Sequence, residues 1–231
     1  MRKGGWGSAA GVKYVPKSER GPMNAASQHF SGLYKSERSQ VEVDPGWKAV
    51  LMKGCTYLPN FFGATTDLRV FEALKAELVP NNLTSWSQHF KIENPDTSET
   101  FNKIVAGLRD HFDVDVLQTR VNYYRDGQDF KPWHHDSHAY SGSVKDRGES
   151  DGTERKTKED FTMGVSFGAS RQLDFKHPET GLVFSFPQNN GDVFAFDAEV
   201  NKLFMHGVPK APSVTSDRIS VICWGKTRQT T

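Results

Sequence analysis

Ten residues, KPWHHDSHAY at positions 131–140, hold three histidines and one aspartate. Imidazole nitrogens and carboxylate oxygens are common ligands of first-row divalent metals. If residues 132–138 form a strand, side chains alternate between its faces, so His134 and Asp136 point one way and His135 the other. One imidazole and one carboxylate on a common face make two-thirds of a 2-His-1-carboxylate triad, a ligand set that holds Fe(II) and leaves coordination positions open. The third ligand must be a histidine on a distant strand that returns beside the first. His206, in LFMHGVPK, is the candidate. Taken alone, H-x-D has a plainer reading, since a strand histidine is more often simply hydrogen-bonded.

The neighbouring sequence adds to the pattern. Arg218 stands twelve residues past His206 and opens the run RISVICW. An arginine on the strand after the distal histidine can form a bidentate pair with a carboxylate deep in a barrel. Ser220 shares its face. Asn122, twelve residues before His134, begins the N-x-Y of Asn122-Tyr123-Tyr124.

These residues need a scaffold, and the periodicity of the chain supplies one. Residues 1–46 are rich in Gly, Ser and Lys. Residues 1–40 carry seven basic and two acidic side chains. This reads as a flexible basic arm, solvated or laid against a nucleic acid. KAVLMKGCTYLPNFF then reads as strand-like. TTDLRVFEALKAELVP reads as a helix, with Leu68, Phe71, Leu74 and Leu78 on one stripe and Thr66 or Asp67 as cap. A second helix carries Phe101, Ile104, Val105, Leu108 and Phe112, with Asp96 as N-cap and Glu99 placed for a capping box. From residue 117 the period becomes two, in LQTRVNYYR, TMGVSFGA, RQLDFKH, LVFSF, DVFAFD and RISVICW. The expected fold is mainly β, a barrel or sandwich buttressed by two helices, over residues 47–231. Residues 141–160, with five basic and six acidic side chains, read as a mobile polar loop inserted into it.

In this order and at these spacings, the N-x-Y, the RDGQD after it, the H-x-D, VSFGASR, GDVFAFD and H-x11-R resemble the AlkB-type family of 2-oxoglutarate- and Fe(II)-dependent dioxygenases. The resemblance runs from about TYLPNFF to CWGK. It implies a double-stranded β-helix, or jelly-roll, core. It also implies His134, Asp136 and His206 as iron ligands, and Arg218 pairing with the distal carboxylate of 2-oxoglutarate, helped by Tyr124. Asn122 would lie near the iron-chelating end, and Ser220 is a second possible donor. With O2, such a site oxidatively decarboxylates 2-oxoglutarate to succinate and CO2 and hydroxylates a C–H bond. On an N-methyl carbon the product collapses to formaldehyde and a demethylated nitrogen. The substrate class so implied is a methylated base in single-stranded or flipped-out DNA or RNA. A hydroxylase or demethylase of a protein or small molecule on the same scaffold is the alternative.

Candidate substrate contacts are Trp86, His89 and Phe90, read equally as base-stacking residues or as packing of a lid, Arg171, which the resemblance offers for a phosphate and which reads otherwise as a surface arginine, and His138, which follows His134 by four residues and either overlooks the substrate or is a loop histidine at the strand end. Family members that act on cationic methylated bases carry an acidic residue just after H-x-D. Ser137 and His138 stand there, which points to a neutral modified base. At the place of the family's second arginine stands Trp224, whose indole packs but cannot neutralise a carboxylate. That suggests a dry wall and weaker co-substrate binding.

The 231-residue chain has a net charge of +1, so no global field advertises a polyanionic partner. Cys55 and Cys223 are the only cysteines and are not in paired spacing, which excludes a disulfide framework and suits a reducing compartment. No apolar run is long enough for a bilayer, and the N-terminus lacks the apolar segment of a secretory signal. The expectation is a monomer inside the cell, cytoplasmic or nuclear, with no membrane partner.

Overall fold

The computed structural model describes residues 45–79, 83–86, 88–93, 95–136 and 159–228. The basic arm up to residue 44 and the insert up to residue 158 lie outside them, and with them Ser137 and His138. In order, the elements are α1 (Pro45–Gly54), β1 (Cys55–Leu58), α2 (Arg69–Leu78), β2 (Thr84–Trp86), β3 (His89–Glu93), α3 (Glu99–Phe112) and β4 (Val114–Tyr124). Then follow β5 (Lys131–His134), β6 (Phe161–Gly168), β7 (Arg171–Lys176), β8 (Val183–Gln188), β9 (Val193–Asp197), α4 (Ala198–Leu203), β10 (Met205–Val208) and β11 (Arg218–Thr227).

The strands form two antiparallel sheets. The larger has the order β1-β9-β6-β11-β4-β3-β2 and the smaller β5-β10-β7-β8. Pairing is nested: β7 with β8, β6 with β9, β5 with β10 and β4 with β11. A long hairpin rolled across two sheets gives this pattern, which is the jelly roll. The mainly β fold with flanking helices is therefore as expected.

Period-two alternation decides what each face of the larger sheet meets. Ile219, Val221 and Cys223 of β11, with Val121 of β4 and Val165 and Phe167 of β6, join Phe71, Leu74, Leu78, Phe101, Ile104, Leu108 and Phe112 in one buried cluster under α2 and α3. The alternate residues face the interior. A second cluster, including Phe175, Phe184, Phe186, Phe194 and Phe196, lies partly under α1 and α4, whose Leu51 and Val200 join it.

Three expectations need correction. The stretch expected as strand begins as helix α1, and only Cys55–Leu58 are extended. Trp47, Val50 and Leu51 fall at helical spacing and pack into the second cluster, and that burial overrides the local β propensity. In α2 the stripe runs through Val70, Phe71, Leu74 and Leu78. Leu68 precedes the first turn and is exposed. Asp67 reaches Arg69 with backbone and side-chain hydrogen bonds but does not occupy the N-cap position. The N-cap of α3 is Ser98, not Asp96: its Oγ accepts from Phe101 N at 3.0 Å and its hydroxyl donates to Glu77.

Candidate metal and carboxylate site

The interior face of β4, β11 and β6 is built in rows. Arg218 is paired with Tyr124 and Gly168, Ser220 with Asn122 and Ser166, Ile222 with Arg120 and Gly164, and Trp224 with Gln118 and Thr162. From the smaller sheet, His206 of β10 pairs with His134 of β5. Between the sheets is a cavity of 280 Å³ lined by residues from these rows and by His134, Asp136 and His206.

His134, Asp136 and His206 each offer a ligand atom, all within 4.8 Å of one another. Nε2 of His134 lies 3.8 Å and Nε2 of His206 3.6 Å from Asp136 Oδ1. The Nδ1–H of His134 donates to the Pro132 carbonyl at 2.9 Å, which fixes the tautomer and leaves Nε2 as the free donor atom. Burial pushes the His206 imidazole down to about 3, and burial, with Lys131 nearby, lowers His134 as well. Burial would raise the Asp136 carboxyl, but His206, His134, the Trp224 indole N–H and the Thr162 hydroxyl hold it below its ordinary range. Neutral imidazoles and an ionised carboxylate are the protonation states a divalent cation requires. The set fits a first-row metal.

The local chain is not the strand expected. β5 ends at His134, and Asp136 lies beyond it. What brings Asp136 round is Asn201 of α4, fully buried. Its Oδ1 accepts from the backbone N–H of Asp136 at 2.9 Å and its Nδ2 donates to the Asp136 carbonyl at 3.1 Å. Its own carbonyl accepts from His135 Nδ1 at 2.5 Å, which holds that ring at the cavity wall outside the ligand set. One asparagine thus replaces the ladder hydrogen bonds that the strand has lost. Thr162 Oγ1 donates to Asp136 Oδ2 at 2.9 Å from the other side. At the crossing of β10 and β5, Gly207 follows His206 in a register shift, where a Cβ would come within 2.8 Å of the Lys131 carbonyl.

Arg218 lies at the other end of the rows and is 3% exposed. Its Nε donates to Ser166 Oγ at 2.8 Å, it reaches the Tyr124 hydroxyl, and its Nη1 is buried with no partner among the described residues. No carboxylate of the described residues lies in ion-pair range. A buried guanidinium without an acid carries a desolvation cost of several kcal/mol. A carboxylate from a ligand would satisfy it, so the residues present fit a dicarboxylate co-substrate. Asn122 Nδ2 lies 3.4 Å from Ser220 Oγ, and both line the cavity.

The chain matches no protein-family model and no curated protein. Among solved structures, an oxidoreductase of the 2OG-Fe(II) oxygenase family from Burkholderia pseudomallei is similar over 83% of this chain and 98% of that one, at 16% identity and a TM-score of 0.49.

Other expected contacts fall elsewhere. Arg171 is buried, and its guanidinium donates to the carbonyls of Asp126, Asp129 and Pro209. It ties two loops to β7, and its Nε is buried without a partner among the described residues. His89 is 2% exposed, stacks on Tyr124 and touches Asn122 Oδ1 and the Phe130 carbonyl, so no ring face awaits a base. Phe90 lies under the Arg125 guanidinium. Trp86 does line the cavity, but with Lys131 Nζ 3.2 Å and the Arg120 guanidinium 4.5 Å from its ring centroid. Trp224 is more than a dry wall: its indole is a donor to the Asp136 carboxylate. His138 lies outside the described residues.

Sequence reasoning missed Asn201, Thr162, Ser166, Arg120 and Lys131. Arg120 was within reach, because it precedes Asn122 by two and therefore shares its face. The others are set by pairings between distant strands and by a helix, which no local pattern reports. Among the described residues, no helix is long and apolar enough to cross a membrane.

Proposed function

We propose that this chain is an Fe(II)- and 2-oxoglutarate-dependent oxygenase, and that its substrate is a methylated base in DNA or RNA, demethylated by oxidation of the methyl carbon. The observation that carries the oxygenase reading is the pairing, in one cavity, of a His-Asp-His triad with a buried guanidinium that has no acid of its own. The base-demethylase reading is supported by the order and spacing of the sequence motifs. Bound iron with 2-oxoglutarate and O2 supplies the oxidising power for C–H hydroxylation. This chain's residues do the positioning. His134, Asp136 and His206 would hold the metal. Arg218, with Tyr124 and Ser220 beside it, would take the far carboxylate of the co-substrate at the end of the rows opposite the triad. Ile222, Val208, Leu173 and Phe196 give the cavity apolar walls that exclude water from the reacting centre.

A second substrate reading, oxidation of an anionic small molecule, is favoured by the cations that crowd Trp86. A ring with charged groups at 3.2, 4.5 and 5.0 Å from its centroid is poorly placed to stack a base. Anaerobic titration of the metal-loaded protein with 2-oxoglutarate tests the oxygenase reading. Saturable binding that is lost in Arg218→Gln supports it, and no binding to the wild type overturns it. Mass spectrometry of a panel of methylated oligonucleotides, incubated with Fe(II), 2-oxoglutarate and O2, separates the two substrates. Loss of 14 mass units per methyl, with formaldehyde release, is expected of a demethylase. Succinate production stimulated by small acids and not by oligonucleotides would select the second reading.

A further inference from the structure

We propose that Arg120 and Lys131 form an anion-binding subsite beside the metal triad, separate from the Arg218 pocket, for a phosphate or carboxylate group carried by the substrate. The proposal rests on the oxygenase reading only in naming that occupant. Arg120 lies on the interior face of β4, opposite Ile222, one row from Trp224. Its guanidinium is held between two indoles, 4.5 Å from the Trp86 centroid and 5.4 Å from that of Trp224. Its Nε is buried without a partner among the described residues. Its acid, Glu93 at 3.3 Å, is half exposed and shared with Lys91, which holds the same oxygen at 2.6 Å.

Lys131 comes from the opposite sheet, at the start of β5. Its Nζ sits against the Trp86 ring, and no carboxylate of the described residues lies within ion-pair range. The acid that acts on it electrostatically is Asp136, which the metal would claim. Burial first, then Arg120 and Lys91, push its ammonium down to about 7. Two cations from different sheets therefore meet at the Trp86 ring on one cavity wall, Arg120 with a surface acid that Lys91 also holds and Lys131 with none in ion-pair range among the described residues. Like charges brought together without compensation cost stability, and an arriving anion relieves that cost through charge-assisted hydrogen bonds. The flanking indoles fix the plane of the guanidinium and so pre-orient its donors.

The location separates this subsite from that of the co-substrate. Arg218 and Ile222 are four residues apart on β11, or about 13 Å at roughly 3.3 Å per residue. The Arg218 row and the Arg120 row thus stand apart along the same ladder. Trp86 belongs to the β2–β3 edge hairpin, where Thr84 and Ser85 are exposed, so the subsite opens toward solvent.

The test is a calorimetric titration of the metal-free full chain with inorganic phosphate, repeated in Arg218→Gln. The wild type and Arg218→Gln are expected to bind phosphate alike. Arg120→Gln and, separately, Lys131→Met should each weaken it by about tenfold or more, the loss expected of a hydrogen bond to a charged group. In the Zn(II)-loaded protein, neither change should alter 2-oxoglutarate affinity by more than about threefold. Absence of phosphate binding in the wild type, or unchanged binding in both variants, overturns the proposal. A loss of 2-oxoglutarate as large as that in Arg218→Gln also overturns it, because the cations would then serve the co-substrate. Failure of the oxygenase reading looks different: Zn(II)-loaded wild type would ignore 2-oxoglutarate while phosphate binding stayed intact. Thermal melts accompany each variant, and Lys131→Met, at a partly exposed position, guards against misfolding of Arg120→Gln.

Discussion

The two faces of the β4–β11–β6 ladder are made by the same strands and do opposite work. Outward, Ile219, Val221, Cys223, Val121, Val165 and Phe167 are at most 1% exposed and join the apolar cluster formed with the helices and neighbouring strands. Inward, one residue further along each strand, stand Arg218, Ser220, Trp224, Asn122, Arg120 and Ser166, and here Arg218 and Arg120 keep buried nitrogens without partners. The outer face contributes stability through burial, about 25 cal/mol per Å² of apolar surface. The inner face gives up some of that stability to hold groups ready for ligands, a pattern expected of functional sites.

The largest effect should come from removing the triad. Asp136→Ala and His206→Ala are each expected to abolish binding of Co(II) or Fe(II), read by calorimetry or ligand-field absorption. His135→Ala should retain metal with a loss below about tenfold, since its ring is turned to the Asn201 carbonyl. Metal binding that survives Asp136→Ala would remove the inner face's claim to be a site.

Adjacent residues on β11 give the sharpest contrast. Ile219→Ala should cost about 2–5 kcal/mol of stability and lower Tm by roughly 5–15 °C, while 2-oxoglutarate affinity measured in the cold stays near wild type. Arg218→Met should do the reverse. Co-substrate affinity falls by about tenfold or more, and the ligand-free protein melts no lower than wild type because an uncompensated buried charge has gone. Equal losses of Tm in both variants would erase the distinction between the faces.

Asn201→Ala should weaken metal affinity about 10–100-fold, the range for groups that orient ligands. Asn201→Asp keeps an acceptor for the Asp136 N–H but loses the donor to its carbonyl, and should fall between. Wild-type affinity in Asn201→Ala would leave the asparagine a purely structural role.

The smallest effect concerns Lys131. Its ammonium is lowered to about 7 in the folded protein, from 10.5. Between these values the unfolded chain holds more protons, so this residue makes stability rise with pH. Below pH 7 the buried charge is a full burden on the fold. Lys131→Met should therefore melt a few degrees above wild type at pH 6, with the gap closing toward pH 10. A gap independent of pH would mean that the charge is not its source.

The sequence by itself determined the alternation. Period-two runs from residue 117 separated an apolar face from a polar one, and the helical stripes of α2 and α3 named what would cover the first. Residue types and spacings along single strands also picked out His134, Asp136, His206 and Arg218, and the family resemblance of the motifs added Asn122, Tyr124 and Ser220; the fold brings all seven to one cavity. Tertiary structure decided the rest. That Asp136 is steered by an asparagine 65 residues away, and that Trp224 and Thr162 donate to it, follows from register between strands and from the seat of α4. The helical form of residues 45–54 was settled by burial against the second core and not by propensity. Arg171 read as a phosphate contact through the resemblance of its motif, and His89 as a stacking or lid residue from its place in the chain. Only the packing of loops and strands around them shows the terminal nitrogens of Arg171 donating to loop carbonyls and the His89 ring held by Asn122 and the Phe130 carbonyl. Burial and long-range pairing belong to the whole chain, and no window of sequence contains them.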